Sequence, residues 1–79
     1  MAIILYGSPT CAKCFKLKKF LEEKGIKFED INVFADREAA KEMVAKSGQM
    51  DIPVLDIDGE IITEYDRDKI EEVLKKKGL

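Results

Sequence analysis

The sequence predicts an α/β fold of element order βαβαββα, in which helices cover both faces of a four-stranded mixed sheet. Three observations predict it: a continuous apolar run, Ala2–Tyr6, at the start; helix-spaced apolar stripes on either side of an alternating segment; and Asp58-Gly59 set between two short apolar runs. Alternation of strands with helical patterns favours a layered sheet-and-helix packing.

The first run, Ala2-Ile3-Ile4-Leu5-Tyr6, has strand length, and its unbroken apolar character suits a central strand covered on both faces. Gly7-Ser8-Pro9-Thr10 breaks it, with Pro9 a trans residue that shapes the loop and Thr10 placed to cap a helix that starts at Cys11. Cys14, Leu17, Phe20 and Leu21 then recur at helical spacing, and Gly25 ends the helix. Ile26–Val33 mostly alternates apolar and polar residues and reads as a second strand, parallel to the first and exposed on one face. Asp36 caps a second helix whose inner face carries Ala39, Ala40, Met43 and Val44 and whose end is Ser47-Gly48. Ile52–Ile57 and Glu60–Thr63 flank Asp58-Gly59, a dipeptide suited to the positive φ angles of a tight hairpin. Asp66 caps the last helix, with Ile70, Val73 and Leu74 buried and the lysines Lys75 to Lys77 at its C-terminal end, where cations suit the helix dipole. No repeat or linker-like tract divides the 79 residues, so residues 1–79 read as a single domain.

Composition narrows the function. Hydrophobic residues make up 46% and charged residues 38%, which is the balance of a folded soluble chain, not a disordered one. The 14 basic and 16 acidic residues leave a net charge of -2 and no phosphate-binding stripe, so nucleic acid is excluded as an expected partner. The run Lys16–Lys19 reads as a solvated helix face in preference to a docking patch. Ala2–Tyr6 is too short for a signal-peptide core or a membrane span, which leads to the expectation of a cytoplasmic chain with no membrane partner; a monomer is expected as well. In that compartment a close cysteine pair is catalytic or metal-binding more often than structural.

Cys11 and Cys14 stand three apart at a helix start, a spacing that puts the two side chains within reach of a disulfide. Cys11 lies where free backbone N–H groups and the dipole favour an anion, which lowers a thiol pKa and makes it the nucleophile. Cys14, one turn deeper on the side of Leu17 and Leu21, is the resolving thiol. Lys13, between them, is a further candidate, its ammonium favouring the thiolate, with plain solvation as the competing reading. Two cysteines and no histidine exclude a self-contained four-ligand zinc site, and the exchange chemistry needs no metal or organic cofactor. A dimer pooling four thiolates around a metal or an iron-sulfur cluster is the alternative of another class.

Leu5-Tyr6-Gly7-Ser8-Pro9-Thr10-Cys11-Ala12-Lys13-Cys14, the helix through Gly25, Phe28–Val33, and Ser47 through Ile52-Pro53-Val54 together resemble the glutaredoxins and glutaredoxin-like thioredoxins along nearly the whole chain. The resemblance implies a thioredoxin-like fold and a dithiol-disulfide oxidoreductase acting on protein disulfides, recycled by a thioredoxin reductase-like enzyme or by glutathione. It also implies that Pro53 is cis and faces the cysteines and that the backbone of Ile52 pairs with bound substrate; Tyr6 is a candidate to edge the site in the same way, although a strand-end aromatic is more often core. Of the family's Gly-Gly-and-Asp motif for the γ-glutamyl end of glutathione, only Asp66 remains, in Ile62-Thr63-Glu64-Tyr65-Asp66.

Three departures separate this chain from the family's main branches. Ala12-Lys13 stands between the cysteines in place of Pro-aromatic or Gly-Pro. Glu64 replaces a small uncharged residue and repels a glutathione carboxylate. No clear basic residue precedes the cysteine loop. Protein disulfides are therefore the expected substrates ahead of glutathione, with ribonucleotide reductase hydrogen donors the branch that fits the chain's size; a glutathione-dependent glutaredoxin is the alternative.

Overall fold

The apolar run near the start of the chain, with β-branched Ile3 and Ile4, forms the inner strand β1 (Ile3–Gly7) because period-two alternation supplies two apolar faces at once. In the computed structural model, which describes residues 2–63 and 65–78, Ile3 and Leu5 enter one core cluster while Ile4 and Tyr6 face the other. The remaining elements are α1 (Ala12–Glu23), β2 (Glu29–Asn32), α2 (Arg37–Ser47), β3 (Val54–Ile57), β4 (Glu60–Ile62) and α3 (Arg67–Lys76), in the predicted order βαβαββα.

The strands form one mixed sheet, ordered β2-β1-β3-β4. β1 runs parallel to β2, pairing Tyr6 with Ile31, and antiparallel to β3, pairing Tyr6 with Val54. The β3–β4 hairpin closes through Asp58 and Gly59, at φ 49 and 96 degrees, which Asp tolerates and Gly, with no Cβ, adopts freely. The loops after β1, β2 and β4 and the loop before β3 therefore gather at one end of the sheet.

Leu17, Phe20 and Leu21 of α1 and Ile70, Val73 and Leu74 of α3 pack on Ile3, Leu5, Leu55 and Ile57. Ala39 and Met43 of α2 cover Tyr6, Val33 and Val54 on the opposite face. Burying one such aliphatic side chain contributes about 1.5–3 kcal/mol. Exposed pairs such as Lys24–Glu71 and Lys41–Glu38 each contribute about 1 kcal/mol or less, so packing holds the fold.

Several boundaries differ from the sequence expectation. β2 begins at Glu29, because Ile26 and Phe28 leave the ladder to pack at the margin of the α1/α3 core. β3 begins at Val54, two residues after Ile52, and β4 ends at Ile62. Val44, expected on the inner face of α2, is 37% exposed because it lies at the edge of a stripe whose centre is Ala39 and Met43. Glu64 lies outside the described residues.

Candidate active site

Cys11 and Cys14 are joined by a disulfide, with Cα atoms 5.2 Å apart, at the end of the sheet where the loops gather. A turn places them: the Cys11 N–H donates to the Ser8 carbonyl at 3.2 Å across Pro9, whose fixed φ suits that position. Among the described residues Ile52-Pro53 is the cis peptide bond, so Pro9 is trans.

The helix starts one residue later than the sequence suggested. Thr10 does not cap it, because the Ser8 Oγ accepts the Thr10 N–H at 3.2 Å and the Ser8 and Thr10 hydroxyls share a hydrogen bond at 3.0 Å. Cys11 is itself the N-cap, in extended conformation, and its Sγ accepts the N–H of Cys14 at 3.1 Å. Its carbonyl then accepts the Phe15 N–H at 3.1 Å, the first full turn of the helix. The sulfur of Cys11 thus sits on the open amide end of α1, where a negative charge is stabilised.

Cys14 is 5% exposed and packs on the backbone of Gly7. A Cβ built on Gly7 would fall 2.8 Å from the Cys14 Sγ, so the close approach of α1 to β1 requires a residue without a side chain. Cys11 is the more accessible sulfur of the pair.

Beside the cysteines a groove of about 660 Å³ is lined by Lys13, Lys16, Gln49, Asp51, Ile52, Pro53, Thr63 and Tyr65. It brings together three of the residues singled out from the sequence, Lys13, Ile52 and Pro53. The Ile52–Pro53 bond is cis, as the resemblance implied. Gln49 also reaches toward this loop, its amide donating to the Asp51 carbonyl at 3.4 Å. A separate cleft of about 320 Å³ opens on the other side of Cys14, between Pro9, Phe15 and Asn32, with the Lys18–Asp30 ion pair (2.7 Å) in its wall.

Two expected residues stand elsewhere. Tyr6 does not edge the groove: period-two alternation turns it to the α2 face, where it is 0% exposed. Asp66 is absent from the groove wall, and its Oδ1 caps α3 by accepting the Lys69 N–H at 3.2 Å.

Sequence reasoning missed the group that holds the back of the site. Asp56, in mid-strand, is 7% exposed, and its carboxylate accepts from Lys46 Nζ and from the Gly59 N–H, each at 2.8 Å. Lys46 Nζ also donates to the Tyr6 hydroxyl at 2.8 Å. The hydrogen bond to Asp56, then that to Tyr6, hold the Lys46 ammonium protonated well above the ordinary lysine range. The cluster pins the last turn of α2 to β3, on either side of the 48–53 loop that carries Ile52 and Pro53. The available signal was parity: Asp56 shares a strand face with Val54, so it lies under α2.

Among the described residues no helix is long and apolar enough to cross a membrane. A family model described as glutaredoxin matches residues 3–62. A glutaredoxin-like protein of the rubredoxin operon of Clostridium pasteurianum is 39% identical over 74 residues, 94% of this chain and 99% of that one. Among solved structures, a glutaredoxin of Archaeoglobus fulgidus is similar at TM-score 0.85 and 25% identity, covering 94% of this chain and 87% of that one. The glutaredoxin-like NrdH-redoxin of Escherichia coli, whose activity profile is described as thioredoxin-like, is similar at TM-score 0.81 and 29% identity, covering 92% and 95%.

Proposed function

The chain belongs to the glutaredoxin family and is a thiol-disulfide oxidoreductase; we propose that Cys11 is its nucleophile, Cys14 its resolving thiol, and protein disulfides its substrates. The observation that carries this reading is the Cys11 sulfur at the N-cap of α1, accepting the Cys14 N–H. When the pair is reduced, the same N–H and the helix dipole favour the Cys11 thiolate over the thiol.

The thiolate attacks one sulfur of the substrate disulfide, forming a bond from Cys11 to substrate and releasing the other substrate sulfur as a thiolate. Cys14, deprotonated, then attacks Cys11, which forms the Cys11–Cys14 disulfide and expels the second substrate thiolate. Two electrons pass from the dithiol to the substrate, and the two protons end on the departing thiols. Within this reading Ile52 and Pro53 position the substrate chain in the groove, and Lys13 supplies positive charge beside the reacting sulfurs.

For recycling, we infer a reductase of the thioredoxin reductase type in preference to glutathione. The hairpin exit Thr63-Glu64-Tyr65 carries a carboxylate and no Gly-Gly pair, and the similar NrdH-redoxin has a thioredoxin-like activity profile. Ribonucleotide reductase is the first protein disulfide to assay. The test is NADPH consumption with a protein disulfide substrate, run once with glutathione and glutathione reductase and once with thioredoxin reductase. Turnover in the second system alone supports the reading; turnover with glutathione at equal or greater rate overturns the recycling assignment.

A further inference from the structure

Helix α1 departs from the electrostatic pattern that the other two helices follow. α2 has Glu38 in its first turn and Lys46 in its last, and α3 has Asp68 in its first and Lys75 and Lys76 in its last. α1 has no acidic residue in its first turn and no basic residue in its last. It carries Lys13 in the first turn instead, then Lys16 and Lys19, each three residues on.

Both features disfavour the helix. A cation near the N-terminus opposes the dipole, and like charges three apart on a helix repel. Local rules broken without local compensation mark positions held for another purpose. The fourth lysine of the segment makes the contrast: Lys18 turns to β2 and pairs with Asp30 at 2.7 Å. Among the described residues Lys13, Lys16, Lys19 and Arg67 make no ion pair.

These four cations form a band that begins at the cysteines. Lys13 and Lys16 wall the groove holding Ile52 and Pro53. Lys16, Lys19 and Arg67 wall the adjoining cleft with Phe15, Phe20 and Tyr65. Lys19 Nζ stands 5.6 Å from the Phe15 ring centre and the Arg67 guanidinium 5.1 Å from that of Phe20, so aromatic faces lie beneath the charges. Among the described residues the carboxylates that line these two hollows are Asp51 at one end and Glu23 at the other. On a chain whose net charge is -2 the band is a local reversal of sign.

We propose that this band receives an acidic stretch of the protein whose disulfide Cys11 attacks, carboxylates lying along α1 on one side of the substrate cysteine. The proposal rests on the redox reading above and specifies its substrate class. From Lys13 to Lys19 the helix rises about 9 Å, the reach of roughly three residues of extended chain. The acidic residues therefore fall within about three positions of the substrate cysteine. The band leads along α1, away from the cysteine end of the sheet, and its length suits a polypeptide flank better than a single small carboxylate. Such charge pairing acts mainly on the encounter rate and on the choice of partner.

The experiment uses three peptides of equal length whose single cysteine carries a coloured thionitrobenzoate leaving group, flanked by three Glu, three Ser or three Lys. The reduced protein attacks each, and release of colour gives the second-order rate. The expected result is a Glu-to-Lys rate ratio of at least tenfold at low salt. That ratio collapses toward one in about 1 M salt, where screening acts within about 3 Å. In the Lys16→Glu/Lys19→Glu variant the ratio inverts; being taken within one protein, it does not depend on the folded fraction. Equal rates in the native protein, or a preference for Glu that survives the double reversal, would overturn the proposal while reduction of the Ser peptide leaves the redox reading standing. Failure with all three peptides would remove the redox reading and the proposal together.

Discussion

Helices α1 and α2 lie on opposite faces of one sheet and are anchored by different means. α2 is held at both ends by carboxylates: Asp36 Oδ1 accepts the Ala39 N–H at 3.1 Å, and Asp56 takes the ammonium of Lys46 in the last turn at 2.8 Å. α1 is capped at the equivalent place by sulfur, the Cys11 Sγ on the Cys14 N–H at 3.1 Å, and has no basic residue in its last turn. Sulfur accepts hydrogen bonds weakly. The difference teaches that one structural position, the helix N-cap, serves stability in α2 and chemistry in α1, because the amides that favour a capping carboxylate favour a thiolate equally.

Breaking the comparison at the chemical end gives the largest effect. Cys11→Ser keeps a competent cap and removes the nucleophile, so disulfide reduction should fall by at least about a thousandfold. Its urea midpoint should stay close to that of the reduced native protein. Retained turnover in an NADPH-coupled assay would contradict the assignment of roles to the two cysteines.

Removing the anchor at the far end of α2 should cost the most stability. Lys46→Met leaves the Asp56 carboxylate 7% exposed without its ammonium, at a cost of about 3 kcal/mol in urea unfolding. The pH dependence carries a sign. Because Lys46 is held above the ordinary value of 10.5, its contribution is complete below that pH and is lost as pH rises further. The difference between native protein and variant should be constant from neutral pH to about 10 and shrink above it; growth with pH would contradict the pairing.

The packing of α1 against the sheet gives the next effect. Gly7→Ala places a methyl 2.8 Å from the Cys14 Sγ, so the helix start must move, at a cost of about 2 kcal/mol. Decay of the mixed disulfide should also slow, since Cys14 is displaced; an unchanged rate in rapid-quench mass spectrometry would show that it is not. The smallest effect is at the structural cap. Asp36→Ala should cost about 1 kcal/mol, with disulfide reduction within twofold of native at a temperature where both proteins are folded.

The same contrast explains what could be read in the sequence. The stripes Leu17-Phe20-Leu21 and Ile70-Val73-Leu74, and the Asp58-Gly59 turn, declare themselves because periodicity and turn chemistry are local. The carboxylate caps Asp36 and Asp66 were legible for the same reason. The cap of α1 was displaced by one residue because Ser8 and Thr10 satisfy each other, a competition between near-equal hydroxyls that spacing does not rank. The Lys46–Asp56–Tyr6 cluster joins three elements, so no window of sequence contains it. Tyr6 followed the parity of β1 to the α2 face, while family likeness pointed it at the groove. Val44 was over-counted because helical spacing marks a stripe and does not say how much of its width the sheet covers.

The central claim is that the N-cap of α1 holds a thiolate. Its most direct test is the pH dependence of iodoacetamide alkylation of the fully reduced protein, with the modified cysteine located by mass spectrometry. The account predicts that Cys11 reacts first, with a midpoint well below the free-thiol value of about 8.5, while Cys14 stays protected until much higher pH. A Cys11 midpoint at or above that value, or earlier alkylation of Cys14, would contradict it.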